Sequence, residues 1–160
     1  MALEAVKRNG HNLHIGEFVP EGKYGVPSLS PVRLAKRIDW LPFNCAKTDK
    51  RRSAHGIHFN HALKEKAREK LGVHFFIDDY LFQRVWNDPA RYAMFLRAFK
   101  AVMTPDFSLF SDYPRAVQIY NHWRKHLLGA YWQSRGITVI PSICWSDEAS
   151  FDWCFNGEPV

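Results

Sequence analysis

From residue 73 onward, short apolar runs alternate with stretches of helical periodicity. Val73-His74-Phe75-Phe76-Ile77 is a compact β-branched and aromatic run that stops at Asp78-Asp79, the pattern of a buried strand. His61 to Leu71, before it, is rich in Ala, Lys, Glu and Arg and predicts a short helix ended by Gly72. Tyr80 to Trp86 predicts a helical turn. Asp88-Pro89 opens a helix, with Asp88 as cap and Pro89 at the first helical position. Its apolar positions Tyr92, Phe95, Leu96 and Phe99 keep helical spacing. Ala101-Val102-Met103 is a second strand, stopped by Thr104-Pro105-Asp106. Asp112-Tyr113-Pro114 opens the longest helix, which runs to Ser134 and is closed by Gly136. Ile137 to Ile140 predicts a third strand, continued after Pro141 by Ser142 to Trp145. Ser146-Asp147-Glu148 then begins a last helix, Ala149 to Phe155.

Strand and helix alternate three times, which predicts parallel strands joined by crossover helices. The expected class is α/β, with a short, mainly parallel sheet: an incomplete doubly wound or barrel-like unit, since three strands cannot close a barrel. Each strand reads as apolar on both faces, so cover is expected on both sides. Residues 1–54 read as an irregular basic segment packed on the body, and 55–160 as the α/β domain, together one globular unit. Within that segment, residues 1–30 are punctuated by Gly and Pro and read as loop or extended chain. Ser30 to Arg37 suggests a helical turn, and Trp40-Leu41-Pro42-Phe43-Asn44 is too broken for a central strand.

Charge sharpens this division. The chain carries a formal net charge of +6. Residues 1–70 hold 14 Lys/Arg against 7 Asp/Glu, and residues 71–160 hold 8 against 9, so the basic excess lies wholly in the first half. Lys47, Lys50, Arg51 and Arg52 concentrate it near Trp40 and Phe43, a composition able to contact phosphates or an acidic partner. Cys45, Cys144 and Cys154 form no Cys-x-x-Cys pair, which fits free, buried thiols in a reducing compartment. The polar start and the lack of a membrane-length apolar run predict a cytoplasmic protein with no membrane partner.

Several ordered motifs carry a resemblance to a known family. They are Leu41-Pro42-Phe43-Asn44, Val73 to Tyr80, Pro105-Asp106-Phe107-Ser108, Gln118-Ile119-Tyr120-Asn121, Gly129-Ala130-Tyr131-Trp132-Gln133, Val139-Ile140-Pro141, and Trp145-Ser146-Asp147-Glu148 through Phe151 to Phe155-Asn156-Gly157. In this order they resemble domain-of-unknown-function family 4417. The resemblance implies a phage or other mobile-element setting, in the cytoplasm of a bacterial host. It also implies a C-terminally truncated member, since the family continues past the Phe-x-Gly segment with further strands that could complete a site or cover a sheet edge.

Candidate chemistry clusters at strand ends. In parallel sheets ligands bind beyond the carboxyl ends of strands. Asp78 and Asp79 follow the first strand, Asp106 the second, and Asp147 with Glu148 the third. Carboxylates gathered on one edge could hold Mg²⁺ or act as an acid/base pair. Helix capping is the competing role, for Asp79, Asp88, Asp112 and Asp147. His55-x-x-His58-x-x-His61 is a weaker metal-ligand pattern, without a partnering Cys pair, and no cofactor is required by any motif. His74 reads as a core histidine, and Tyr120, Trp123, Tyr131 and Trp132 as core rather than a base-stacking platform. Phosphate-binding glycine loops and the serine-hydrolase elbow are absent from the sequence. Two functions follow. The favoured one is a phage accessory protein that binds a host macromolecule, nucleic acid or a defence protein, through the basic segment. The alternative is a metal-dependent or acid/base, hydrolase-like enzyme using Asp78, Asp79, Asp106 and Asp147.

Overall fold

The computed structural model describes residues 18–31 and 56–159. The basic segment Lys47, Lys50, Arg51 and Arg52, together with His55 and Cys45, lies outside these residues. Strand β1 (Pro20–Glu21) pairs antiparallel with β2 (Val26–Pro27). Then follow β3 (Gly56–His58), α1 (Phe59–Ala62), a 3-10 turn at Arg68–Lys70, β4 (Gly72–His74), α2 (Asp79–Asn87), α3 (Pro89–Leu96), β5 (Ala101–Met103), α4 (Arg115–Ser134), β6 (Val139–Ile140) and a 3-10 turn at Glu148–Asp152.

The sheet is parallel throughout, in the order β3-β4-β5-β6. It therefore has four strands where the hydrophobic pattern predicts three. The extra one, β3, offers a single apolar residue, Ile57, too little for a periodic signal. Register aligns Ile57, Val73, Val102 and Val139 in one row across the sheet. That row shares one buried core with Phe59 of α1, Phe82 and Val85 of α2, Leu96 of α3, and Leu128 and Trp132 of α4. All three crossovers thus cover the same face, as right-handed connections in strictly sequential order require. A doubly wound sheet would place helices on both sides, so the arrangement is the barrel-like alternative. The opposite face is apolar at β5 and β6, where Met103 pairs with Ile140, but at β3 and β4 it carries His58 and His74, paired in register with rings 4.3 Å apart.

The positions of α2, α3 and α4 agree with the expected helices to within a few residues. Asp88 caps α3 by accepting from the Arg91 N–H, and Pro89 is its first residue. The long helix starts one residue after Pro114, which is itself the cap position, so Asp112 does not cap it. Asp78 occupies the cap position of α2 but makes no side-chain cap bond. Four expectations fail for identifiable reasons. The helix expected over His61 to Leu71 ends at Ala62, because the Glu65 carboxylate takes the N–H groups of Lys66 and Ala67 and turns the chain. Gly72 begins a strand rather than ending that helix. The third strand does not resume after Pro141, because the Ser142 N–H goes to Thr104 Oγ1 instead of a strand partner. The last helix is a single 3-10 turn closed by an Asp147–Ser150 capping box. Of the α4 aromatics, Tyr131 and Trp132 are buried, whereas Tyr120 is exposed.

Residues 18–31 pack along α4, which accounts for their extended form. Gly129 permits this approach: a Cβ there would lie 2.8 Å from both Leu29 Cδ2 and Thr104 Cγ2. Ser30 and Gln133 exchange two hydrogen bonds. The same segment grips the C-terminal turn. Gly157 N–H donates to Glu21 Oε2, and Leu29 N–H donates to Gly157 O. Gly157 has φ +79°, and a Cβ would fall 2.7 Å from the Pro27 carbonyl oxygen, so this position requires glycine.

Candidate functional site

Beyond the carboxyl end of β5 the alternation of faces continues. Val102 and Thr104 are buried, and Asp106 follows them at the same period of two. Thr104 Oγ1 lies 2.9 Å from Ser142 Oγ, which ties the ends of β5 and β6 together. The N-terminal half of α4 crosses this edge, because a crossover helix begins where its strand ends. Its buried side chains there are polar: Gln118, Asn121, His122, Arg124, Lys125 and His126. The C-terminal half presents Leu127, Leu128, Tyr131 and Trp132 to the core.

Lys125 is the centre of this polar layer, with only 1% of its side chain exposed. Its ammonium donates to the Ser142 carbonyl at 2.6 Å and to Glu158 Oε1 at 2.8 Å. His126 Nε2 meets the same carboxylate oxygen at 3.0 Å, while Nδ1 meets the Pro27 carbonyl at 3.1 Å. Both ring nitrogens therefore face acceptors; burial lowers the His126 pKa, with the Glu158 hydrogen bond partly opposing, and the neutral ring donates to only one of the two. Burial alone would raise the Glu158 carboxyl, but the His126 hydrogen bond and the Lys125 charge outweigh it and hold it below its ordinary value. His122 packs against His126, ring centroids 4.5 Å apart, and its Nε2 donates to the Asn156 carbonyl. Burial, with the nearby Lys125 charge, pushes the His122 pKa down to about 3.

Asp106 and Cys144 adjoin this layer. Burial raises the Asp106 carboxyl above its ordinary value, and the Asp79 charge adds to that. The Cys144 thiol and Lys125 partly oppose it. Burial likewise pushes the Cys144 thiol up to about 12, so it stays protonated and acts as a donor rather than a nucleophile. Asp79, the first residue of α2, is held from two sides. It accepts from Ser108 Oγ at 2.9 Å and from the Ser108 N–H, and it pairs with Arg124 at 3.7 Å. Arg124 lies 3.5 Å above the Phe107 ring centroid.

The four acids named from sequence therefore separate. Asp79 and Asp106 lie within each other's field. Asp78 is exposed. Asp147 is bound to Arg115 at 3.0 Å and caps the last turn. His58 and His61 lie on another face, with rings 6.2 Å apart. Among the described residues, no group of three His, Cys, Asp or Glu side chains is placed to hold a metal ion, so Mg²⁺ finds no such ligand set there. Lys125, His122, His126 and Glu158 were not singled out as site residues from sequence, and Cys144 was read only as a buried thiol. Exposed aromatics surround the edge: Phe76 and Tyr80 after β4, Phe110 and Tyr113 after β5, and Trp145 after β6. A cleft of about 340 Å³ lined by Ala90, Ala93, Met94, Arg97, Tyr131 and Arg135 sits on α3 and the far end of α4 and carries no carboxylate. Among the described residues, no helix is long and apolar enough to cross a membrane.

Comparison with known proteins agrees with the motif order. The chain is 38% identical over 143 residues to the Gene 1 protein of Mycobacterium phage D29, covering 89% of this chain and 47% of that protein. It is 37% identical over 143 residues to the Gene 1 protein of Mycobacterium phage L5, covering 89% of this chain and 56% of that protein. The chain thus spans about half the length of these relatives. No solved structure matches. Residues 40–160 match the domain of unknown function DUF4417, and the chain belongs to that family.

Proposed function

We propose that the carboxyl edge of the parallel sheet is an acid–base site of a hydrolase-like phage protein working in the host cytoplasm. Asp106 is its proton-carrying group. The observation that carries this reading is the placement of Asp106 three residues beyond β5, half-buried beside Asp79, Lys125 and Cys144, where its proton is retained to higher pH than usual. Two carboxyls in unlike surroundings can divide the work of acid and base. Asp79 is oriented by Ser108 and Arg124. Asp106, beside the Cys144 thiol donor, supplies or takes the proton. The exposed aromatics would form the walls against which a substrate ring packs.

Carboxyl ¹³C titration tests the first step. Asp106 should titrate above the ordinary aspartate value, and Asp79→Asn should bring its midpoint down. A midpoint at or below the ordinary value would remove the reading. On a panel of chromogenic phosphoester, ester and glycosyl substrates, any turnover should vanish in Asp106→Asn, with the far-UV circular dichroism unchanged.

A second reading, capture of a host macromolecule, is favoured by the charge division: the first 70 residues hold twice as many Lys/Arg as Asp/Glu. Nucleic acid or an acidic defence protein would be held through Lys47, Lys50, Arg51 and Arg52. The protein should then be retained on heparin and released by salt, and alanine at Lys50, Arg51 and Arg52 should shorten retention. Unaltered retention in that triple variant would count against it.

A further inference from the structure

We infer that the surface built by residues 143–155 docks a basic peptide segment of another protein. Trp145, Phe151 and Phe155 are each about half exposed, and Ile143 beside them is 56% exposed. The three rings are contiguous: Trp145 to Phe151 is 6.3 Å between centroids, and Phe151 to Phe155 is 5.8 Å. A continuous exposed aromatic row of this kind marks an interaction surface more often than a solvated one.

The row is also rigid. Asp147 and Ser150 close the turn by a capping box, and Trp153 and Cys154 anchor it from beneath against Leu109. Docking on it therefore requires no ordering of the surface.

The local charge specifies the occupant. Residues 136–160 contain four acidic residues and no Lys, Arg or His, in a chain whose net charge is +6. Asp147 is engaged by Arg115, and Glu158 by Lys125 and His126. Glu148 and Asp152 remain exposed beside the rings. An arginine or lysine side chain laid on this row would meet ring faces and a carboxylate together. A nucleic acid strand would stack on the rings but would be repelled by the acids. The inference uses none of the acid–base residues, so the two readings stand or fall separately.

The test is fluorescence anisotropy with a fluorescein-labelled peptide of alternating arginine and leucine, and a matched glutamate–leucine peptide as control. The arginine peptide should bind although the protein as a whole is basic, and the glutamate peptide should not. Glu148→Lys/Asp152→Lys and Trp145→Ala/Phe155→Ala should each weaken binding at least tenfold. All four side chains are exposed, so the fold should survive, as circular dichroism would verify. Equal binding of both peptides, or wild-type affinity in the charge-reversed variant, would overturn the inference. So would a concentration-dependent dimer in sedimentation that Trp145→Ala/Phe155→Ala abolishes, because the row would then be a contact between two copies.

Discussion

Lys125→Met is expected to destabilise the protein by roughly 3–5 kcal/mol, the usual cost of removing one partner from a buried ion pair. The lysine stem is replaced at similar volume, so little packing is lost. What changes is the environment of Glu158, whose side chain is 8% exposed and whose Oε2 already has no hydrogen-bond partner among the described residues. Without the ammonium, the carboxylate keeps His126 alone, and the Ser142 carbonyl loses its donor. For a chain of this length such a loss lowers Tm by about 10 °C. Lys125→Met/Glu158→Gln should recover much of it, since a neutral amide needs no countercharge. Urea denaturation of the wild type and both variants at pH 7 measures the effect. A single variant within about 1 kcal/mol of wild type would mean that water already screens the pair.

Acid sensitivity should be the second large effect, and its cause is histidine before carboxylate. Burial lowers the His74 pKa to about 4, with the His58 charge adding to it, and lowers that of His122 to about 3. In the unfolded chain both return to about 6.5. Below that value the unfolded state binds protons that the native state refuses, so stability falls with pH. Each histidine contributes a slope approaching about 1.4 kcal/mol per pH unit, down to its own folded pKa. By pH 4.5 the two together should remove on the order of 5 kcal/mol. Asp106 opposes this over a narrower range, because its raised pKa favours proton uptake by the native state. His122→Gln keeps an amide donor for the Asn156 carbonyl and loses the titration. Its unfolding midpoint should therefore fall less between pH 7 and pH 4.5 than that of the wild type. Identical pH profiles for the two proteins would show that His122 is not the responsible group.

The parallel sheet was readable from sequence because β4, β5 and β6 each follow or precede a strongly periodic helix. Strand β3 was not, since Gly56-Ile57-His58 owes its place to pairing with β4 rather than to its own composition. The acids at strand ends followed from topology, and Asp79 and Asp106 do share an edge. Their basic partners were hidden by a sound general rule: Arg124, Lys125 and His126 in a long helix normally face solvent or complement its dipole. The contrary signal was the stripe Gln118, Asn121, Lys125, Gly129 and Trp132. It places polar side chains on the same helical face as a core tryptophan. Glu158 gave no such signal, because its importance depends on a turn near the end of the chain meeting helix α4.

That meeting has a consequence for folding. Glu21 reaches across 136 positions to Gly157. Until residues 157 and 158 are in place, Lys125 lacks its carboxylate and Glu21 lacks its amide donor. The polar half of α4 cannot seal before then, and chains cut short of residue 158 should be open to protease attack around α4.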